Sequence, residues 1–482
     1  MLSPNVLLVV LDSVRAQNTS MHGYSRDTTP NIAEFAERAT VYKQAKSPGV
    51  WTLASHTSMF TGYHVEEHLL TFNDHVIEPG HSVWEGLSDR GYQTGVFSHN
   101  PFLTGGTGLE AGFDTAITTN QEVPFSEAVD PYDYADDYVE FIRAGISDGT
   151  PIRSVLNGVV AKFEPEVLDG LGGWEVDKTP ATRCIDTFLD WHESRSDGPW
   201  GACLNLMDAH WPYQPHELNW ASEETVALAT ELESESLWKF EGGQRPWSEW
   251  EAMEDLYDDC IRQADAAVGH MLRTLEERGD LENTLVIITG DHGEAFGEQS
   301  AVRDVTVREH GSGAIHESVV HVPLVVNWPG ETGGKVVDSP TSLTWLKDAI
   351  EQATLGELES DPLQRPDKPV LASTHGLDPD ETKYKKGTKY VDNMAPFQSH
   401  SRAVYEDVEG GVRKYADSKI QDRPRTSATI YVSNTGERSI EADTDSGRTE
   451  SEFADIENMG VKRGSIEIDD QMESRLADLG YM

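Results

Sequence analysis

Four short apolar runs in this chain each lead into acidic, imidazole or amide side chains, and that pattern restricts the fold more than any other feature. Asn5–Leu11 (NVLLVVL) stops at Asp12. Gln93–Ser98 (QTGVFS) stops at His99 and Asn100. Gly201–Leu206 (GACLNL) is followed by Asp208 and His210. Thr284–Thr289 (TLVIIT) leads through Gly290 to Asp291 and His292. Short runs that are almost wholly apolar read as strands covered on both faces, the texture of a parallel sheet between helices. Helical patterns alternate with them. Thr29-Pro30 opens one, with Ile32, Phe35 and Ala36 on one face. Tyr257–Leu275 carries Ile261, Ala264, Val268 and Leu272 at helical spacing. Val322–Asn327 (VPLVVN) adds a further strand, and an α/β domain follows.

The texture changes near residue 345. The expected division is a catalytic domain over 1–345, interrupted by an acidic, loop-rich insertion over 115–180, and a C-terminal subdomain over 346–482. Leu355–Lys368 suits a linker. Ser401–Lys419 and Ser427–Val432 read as strands of a smaller sheet, with a terminal helix near Met472–Leu479.

Charge limits the partners. The 482 residues hold 84 Asp and Glu against 38 Lys and Arg, a formal net charge of −46. Such a surface repels nucleic acid and anionic membrane. The acidic residues are spread along the chain, as in halophilic proteins that keep a solvated acidic surface. Cys184, Cys203 and Cys260 match no metal-knuckle or CxxC spacing and read as core thiols. No apolar stretch approaches the roughly 18 residues of a membrane span, and no basic leader precedes Asn5. The expectation is a cytoplasmic protein without a stable membrane span.

Ligand sites in open α/β sheets lie at the carboxyl ends of strands. A lone Asp there usually caps a helix. Four such ends on one rim instead suit metal-assisted displacement at a tetrahedral oxyanion, for which Asp and His are fitting ligands. A nucleophile candidate lies in Val50–Gly62 (VWTLASHTSMFTG), where hydroxyls precede a short helix whose N-terminus can receive an anion. The competing reading makes Thr52 a helix cap with Ser55 as its partner. His22, His64 and His68 read as surface or turn residues, and His321 as structural. Arg15 reads as an anion ligand or a surface salt bridge. Glu294 and Glu298 read as solvated helix positions or supports of the site.

The ordered motifs NVLLVVLDSVRA, TTPNIAEFAE, WTLASHTSMFTG, GYQTGVFSHNPFL, MDAHWPY, TGDHGEAFGE, HGSGAIHESVVHVPLVV and the terminal LADLGYM resemble the sulfatase family of the alkaline phosphatase superfamily. The resemblance runs through residues 5–330 and is weakest over 115–180 and 345–470. It implies an α/β fold with a mixed, largely parallel central sheet flanked by helices, plus a smaller C-terminal α+β subdomain. It also implies one divalent metal ion at the sheet rim. Asp12 matches the first metal carboxylate, and Asp291 and His292 the late metal pair. His210 resembles the histidine that meets the transferred group, and His310 the His-Gly that follows the metal pair. Counting back from Thr61-Gly62 places Thr52 at the nucleophile, where the family carries Cys or Ser in C/S-x-P-S-R. Ala54, Ser55 and His56 fall where Pro, Ser and Arg would stand. Ser13 replaces a second carboxylate, and His99-Asn100-Pro101 replaces Lys-x-His.

The expected enzyme is a metal-dependent hydrolase of sulfuric or phosphoric esters. Its metal ligands are Asp12, Thr52, Asp291 and His292. Thr52, His210 and His310 are its catalytic residues, and His99, Asn100, Ser55 and His56 bind substrate. The metal is zinc, manganese or calcium, and threonine replaces formylglycine. The substrate is a small-molecule or glycan ester. Two alternatives stay open: a phosphodiesterase or phosphotransferase acting toward a glycan or lipid alcohol, and a catalytically silent binding relative.

Overall fold

A computed structural model of the protein describes residues 3–119, 128–129, 138–147, 149–162, 178–232, 237–303, 305–310, 314–420, 423–434, 438–465 and 476. In chain order the strands are β1 (Asn5–Leu11), β2 (Thr40–Lys46), β3 (His75–Ile77), β4 (Gln93–Ser98), β5 (Thr115–Thr118), β6 (Trp200–Leu206), β7 (Thr284–Thr289), β8 (Phe296–Gln299), β9 (Thr306–Arg308), β10 (Leu324–Asn327), β11 (Lys335–Ser342), β12 (Val370–Thr374), β13 (His400–Val408), β14 (Gly411–Lys419), β15 (Thr426–Ser433), β16 (Arg438–Ala442) and β17 (Lys462–Ser465).

Eight of them form the central sheet, ordered β11-β2-β10-β7-β1-β6-β4-β5. Only β10 runs against its neighbours. The remaining pairs are parallel. The sheet is thus mixed and largely parallel. Its central strand β1 is buried on both faces because successive side chains point to opposite sides. Val6, Leu8 and Val10 join one core with Val370, Ala372 and Tyr405. Leu7, Val9 and Leu11 join the other, beneath the helices Pro180–Ser194 and Met253–Arg278. A second, antiparallel sheet is ordered β12-β13-β14-β15-β16, and shorter pairs join β3 to β17 and β8 to β9.

Several local expectations change. Strand β10 begins at Leu324, after Pro323, rather than at Val322. The strip 401–419 is a hairpin of β13 and β14 rather than one strand. Residues 115–118 form an edge strand of the central sheet. The described part of the insertion contains helices Tyr138–Ser147 and Pro151–Lys162 rather than loop alone. Segment 355–368 is tied down, since Leu363 is buried and Tyr42 donates to Asp361 Oδ2 at 2.8 Å. The helix expected near Met472–Leu479 lies outside the described residues, apart from Leu476. Among the described residues no helix is long and apolar enough to cross a membrane.

Candidate active site

The parallel register carries the strand ends to one rim. Val10 of β1 pairs with Asn205 of β6 and with Thr289 of β7. Asp12 leaves β1 with its N–H donating to Leu206 O at 3.0 Å. Asn205 Nδ2 donates to Asp12 Oδ2 at 2.9 Å. Asp291 leaves β7, and its Oδ1 accepts from the backbone N–H of Ser13 at 3.2 Å and of His292 at 2.9 Å. Ser13 holds a left-handed backbone, φ 63°. A non-glycine residue there is strained and needs its surroundings to hold it. Tyr257 does so, donating its hydroxyl to Ser13 O at 2.8 Å while accepting from Arg15 N at 2.9 Å.

Two glycines let this rim close. A Cβ on Gly290 would lie 2.4 Å from Val14 O, and one on Gly293 would lie 2.2 Å from Ser318 O. Backbone approaches this tight admit only glycine.

Val50–Gly62 arrives from the far side. Its helix runs from Thr52 to Thr61 and stops at Gly62, which is left-handed at φ 74°. The cap is Trp51, without a side-chain capping bond, so Thr52 is the first helical residue rather than the cap. Thr52 Oγ1 lies 3.3 Å from His292 Nε2. One turn later, His56 Nδ1 sits 3.1 Å from Thr52 O and 3.5 Å from Asp291 Oδ2. His310 packs its ring 4.3 Å from that of His292 and 5.2 Å from that of His210, centroid to centroid. His210 Nδ1 is 2.6 Å from Trp211 O, and His310 Nδ1 is 3.4 Å from Glu294 Oε2.

Thus Asp12, Thr52, His56, His210, Asp291, His292 and His310 gather at one place. The other candidates hold loops. Ser55 Oγ bonds Ser47 Oγ at 2.9 Å. Asn100 caps the short helix after β4, its Oδ1 accepting from Phe102 N at 3.0 Å. His99 Nδ1 lies 3.3 Å from Thr119 O.

The charges in this pocket are unequal. Burial alone would raise the Asp12 carboxyl, but His210, His292 and the Asn205 bond together hold it below its ordinary value. Burial and the Asp12 charge push Asp291 well above its ordinary value. Burial lowers His292 and His210 against the pull of Asp12. Burial, then His292 and His210, lowers His310 further. Two carboxylates this close cannot both ionise without a cation. Asp12, Asp291 and His292 are wholly buried and offer ligand atoms within 4.8 Å of one another. Asp291 Oδ2 is buried without a hydrogen bond. This donor set fits a divalent ion.

Other expectations are corrected. His22, His64 and His68 are buried, not surface residues. His68 Nε2 bonds Ser58 Oγ at 3.0 Å, and His64 caps the helix Val65–His68. Arg15 is buried too, and pairs with Glu298 at 2.7 Å and with Glu254. Asn205 and Tyr257 support the site without a role expected from the sequence, and Ser13, where the family carries a second carboxylate, supports it through its backbone. Asn205 had a signal, a lone amide inside the apolar run GACLNL. A cavity of about 520 Å³ opens beside His310, lined also by Trp51, His75, His375 and Lys383. Lys383 and His375 come from the C-terminal part, and no local motif marked them.

Known proteins resemble the chain as a whole. The chain resembles the steryl-sulfatase of Rattus norvegicus at 32% identity over 120 residues, 23% of this chain and 20% of that protein. It thus spans about a fifth of the length of that curated relative. It resembles the N-acetylgalactosamine-6-O-sulfatase of Bacteroides thetaiotaomicron at 20% identity over 68% of each chain. The phosphonate monoester hydrolase of Agrobacterium radiobacter shares the fold, with TM-score 0.57 and 16% identity over 88% of each chain. The Sulfatase family model matches residues 4–353, from the first strand past the last strand of the central sheet, and the chain belongs to the sulfatase family.

Proposed function

We propose that the chain cleaves esters of a tetrahedral oxyanion, sulfuric or phosphoric, with Thr52 as nucleophile. The observation that carries this reading is Thr52 Oγ1 at 3.3 Å from His292 Nε2, against the wholly buried Asp12–Asp291–His292 group. Asp12, Asp291, His292 and Thr52 would hold the divalent ion. When bound, that ion neutralises charge on the oxyanion and eases loss of the threonine proton.

The chain's own groups do the rest. The Thr52 oxygen forms a bond to sulfur or phosphorus as the bond to the ester oxygen breaks. The proton that leaves Thr52 passes to His210 or His310, which burial keeps neutral beforehand and whose rings lie beside His292, and from there to the departing alcohol. Water then displaces Thr52, releases sulfate or phosphate and restores the hydroxyl. An alcohol in place of water gives transfer instead of hydrolysis. His56, one turn along the helix, positions Thr52 and faces Asp291. Lys383 and Trp51 line the cavity that would take the organic part, so specificity is assigned largely to residues 374–383.

The test is a parallel assay of aryl sulfate, phosphate monoester, phosphodiester and phosphonate monoester in high salt, with zinc, manganese or calcium. Thr52→Ala should lower the rate on the preferred ester by about 10³-fold or more. Full rate in that variant refutes the nucleophile. No turnover of any ester, with any of the three metals, supports the silent relative. Added alcohol that yields a new ester identifies a transferase.

A further inference from the structure

Among the described residues a second group of metal-type donors lies apart from the rim. Glu66 sits on the short helix Val65–His68 of the sulfatase region. His375 follows β12, and His400 opens β13. The antiparallel ladder that pairs Thr374 with Ser401 brings the two histidines side by side at its end. Their rings stack with centroids 4.5 Å apart and planes at 17°. Glu66 Oε1 lies 2.5 Å from His400 Nε2. One ligand atom from each residue falls within 4.8 Å of the others. His375 Nδ1 is buried without a hydrogen bond.

From this geometry we infer that Glu66, His375 and His400 form a second divalent-metal site, of the zinc class. Two imidazole nitrogens and one carboxylate suit zinc better than calcium or magnesium, which favour oxygen. Three protein donors leave a fourth position for water or a ligand atom. The competing cation is Arg402, whose Nε is 3.5 Å from Glu66 Oε1. Arg402 can use only the carboxylate, whereas zinc also uses both imidazoles. The ion would join the helix Val65–His68 to the second sheet. His375 also lines the cavity beside His310, so the site would brace the wall of the substrate cavity. None of this requires the ester-cleavage reading to hold.

The experiment strips the full chain of metal and titrates it with zinc alone, counting bound ions by calorimetry and elemental analysis. Wild type should bind two zinc ions, and Asp291→Asn and the pair His375→Gln, His400→Gln one each. In the Asp291→Asn chain zinc should still raise the melting temperature. Adding the two histidine changes should weaken that remaining binding at least 100-fold. An Asp291→Asn chain that binds no zinc, or a double-histidine variant that keeps as many ions as wild type, overturns the inference. If the double variant does not fold, the Asp291→Asn chain decides alone: one bound zinc supports the site and none refutes it.

Discussion

Two buried carboxylates, Glu317 and Asp291, are treated oppositely. Glu317 is surrounded by donors. Lys46 Nζ lies 2.8 Å away, Lys414 Nζ 2.9 Å and the Tyr405 hydroxyl 2.9 Å. Burial would raise its carboxyl, but Lys414 and Lys46 hold it well below its ordinary value. Asp291 has a second carboxylate as neighbour, and its ion-pair partners among the described residues are His56 and His292. Burial and Asp12 drive it upward. The chain surrounds one buried carboxylate with its own cations and gives the other, among the described residues, only imidazoles as ion-pair partners. The first arrangement holds the two sheets together, since Lys46 belongs to β2 and Lys414 to β14. The second is what a cation-dependent site requires, and it is the ground on which we propose the rim at Asp12 and Asp291 as the reactive one.

Substitution should separate the two by sign. Asp291→Asn should cut activity by about 10³-fold or more, as measured by steady-state kinetics with metal present. In the metal-free protein the same change should leave stability unchanged or raise it by about 1–3 kcal/mol, because it removes a carboxyl whose ionisation burial and Asp12 disfavour in the folded chain. Clear destabilisation in urea would break the contrast. Glu317→Gln should destabilise by about 3–5 kcal/mol, since two buried lysines lose their partner. An unchanged unfolding midpoint would show the lysines to be solvated. Tyr405→Phe should cost less, about 1.5–3 kcal/mol for one bond to a charged acceptor, by the same measurement.

The smallest effect is on pH. His321 donates from Nε2 to Lys43 O at 2.7 Å, and burial followed by the charge of Lys46 lowers it to about 3. Its unfolded value is about 6.5, so the unfolded chain binds the proton first. The stability it contributes is present above about pH 6.5 and is lost as pH falls toward 3. The loss is at most about 1.4 kcal/mol per unit for this one group. His321→Asn should flatten the fall of the melting temperature between pH 7 and 5. An unchanged slope would show that His321 takes up its proton in the folded state as well.

What could be read in advance followed burial. Strands β1, β4 and β7 are apolar enough to be recognised residue for residue, and their polar successors mark the rim. Strand β2 (TVYKQAK) carries no such signature, because Lys43, Gln44 and Lys46 look like surface residues. Lys46 and Gln44 are nonetheless buried, and they are tolerated because Glu317 and the turn after β15 supply partners from more than 270 residues away. His64 and His68 look like surface residues for the same reason, since the helix cap at His64 Nδ1 and the Ser58 contact of His68 Nε2 form only on folding. Thr52 could be aligned with the nucleophile by counting from Thr61-Gly62, yet a cap and a nucleophile look alike in one dimension.

Read alone, the order of residues determined the class of sheet, the rim on which the strand-end Asp and His residues fall, the family and the absence of cysteine at position 52. These depend on local periodicity and short spacings, which the chain carries explicitly. Tertiary structure decided which buried charges are neutralised from within, which histidines are structural, and that Glu66 meets His375 and His400 across more than 300 residues. Those outcomes depend on long-range pairing of polar groups. Their energy depends on the partner and on the exclusion of water, and neither is written beside the residue.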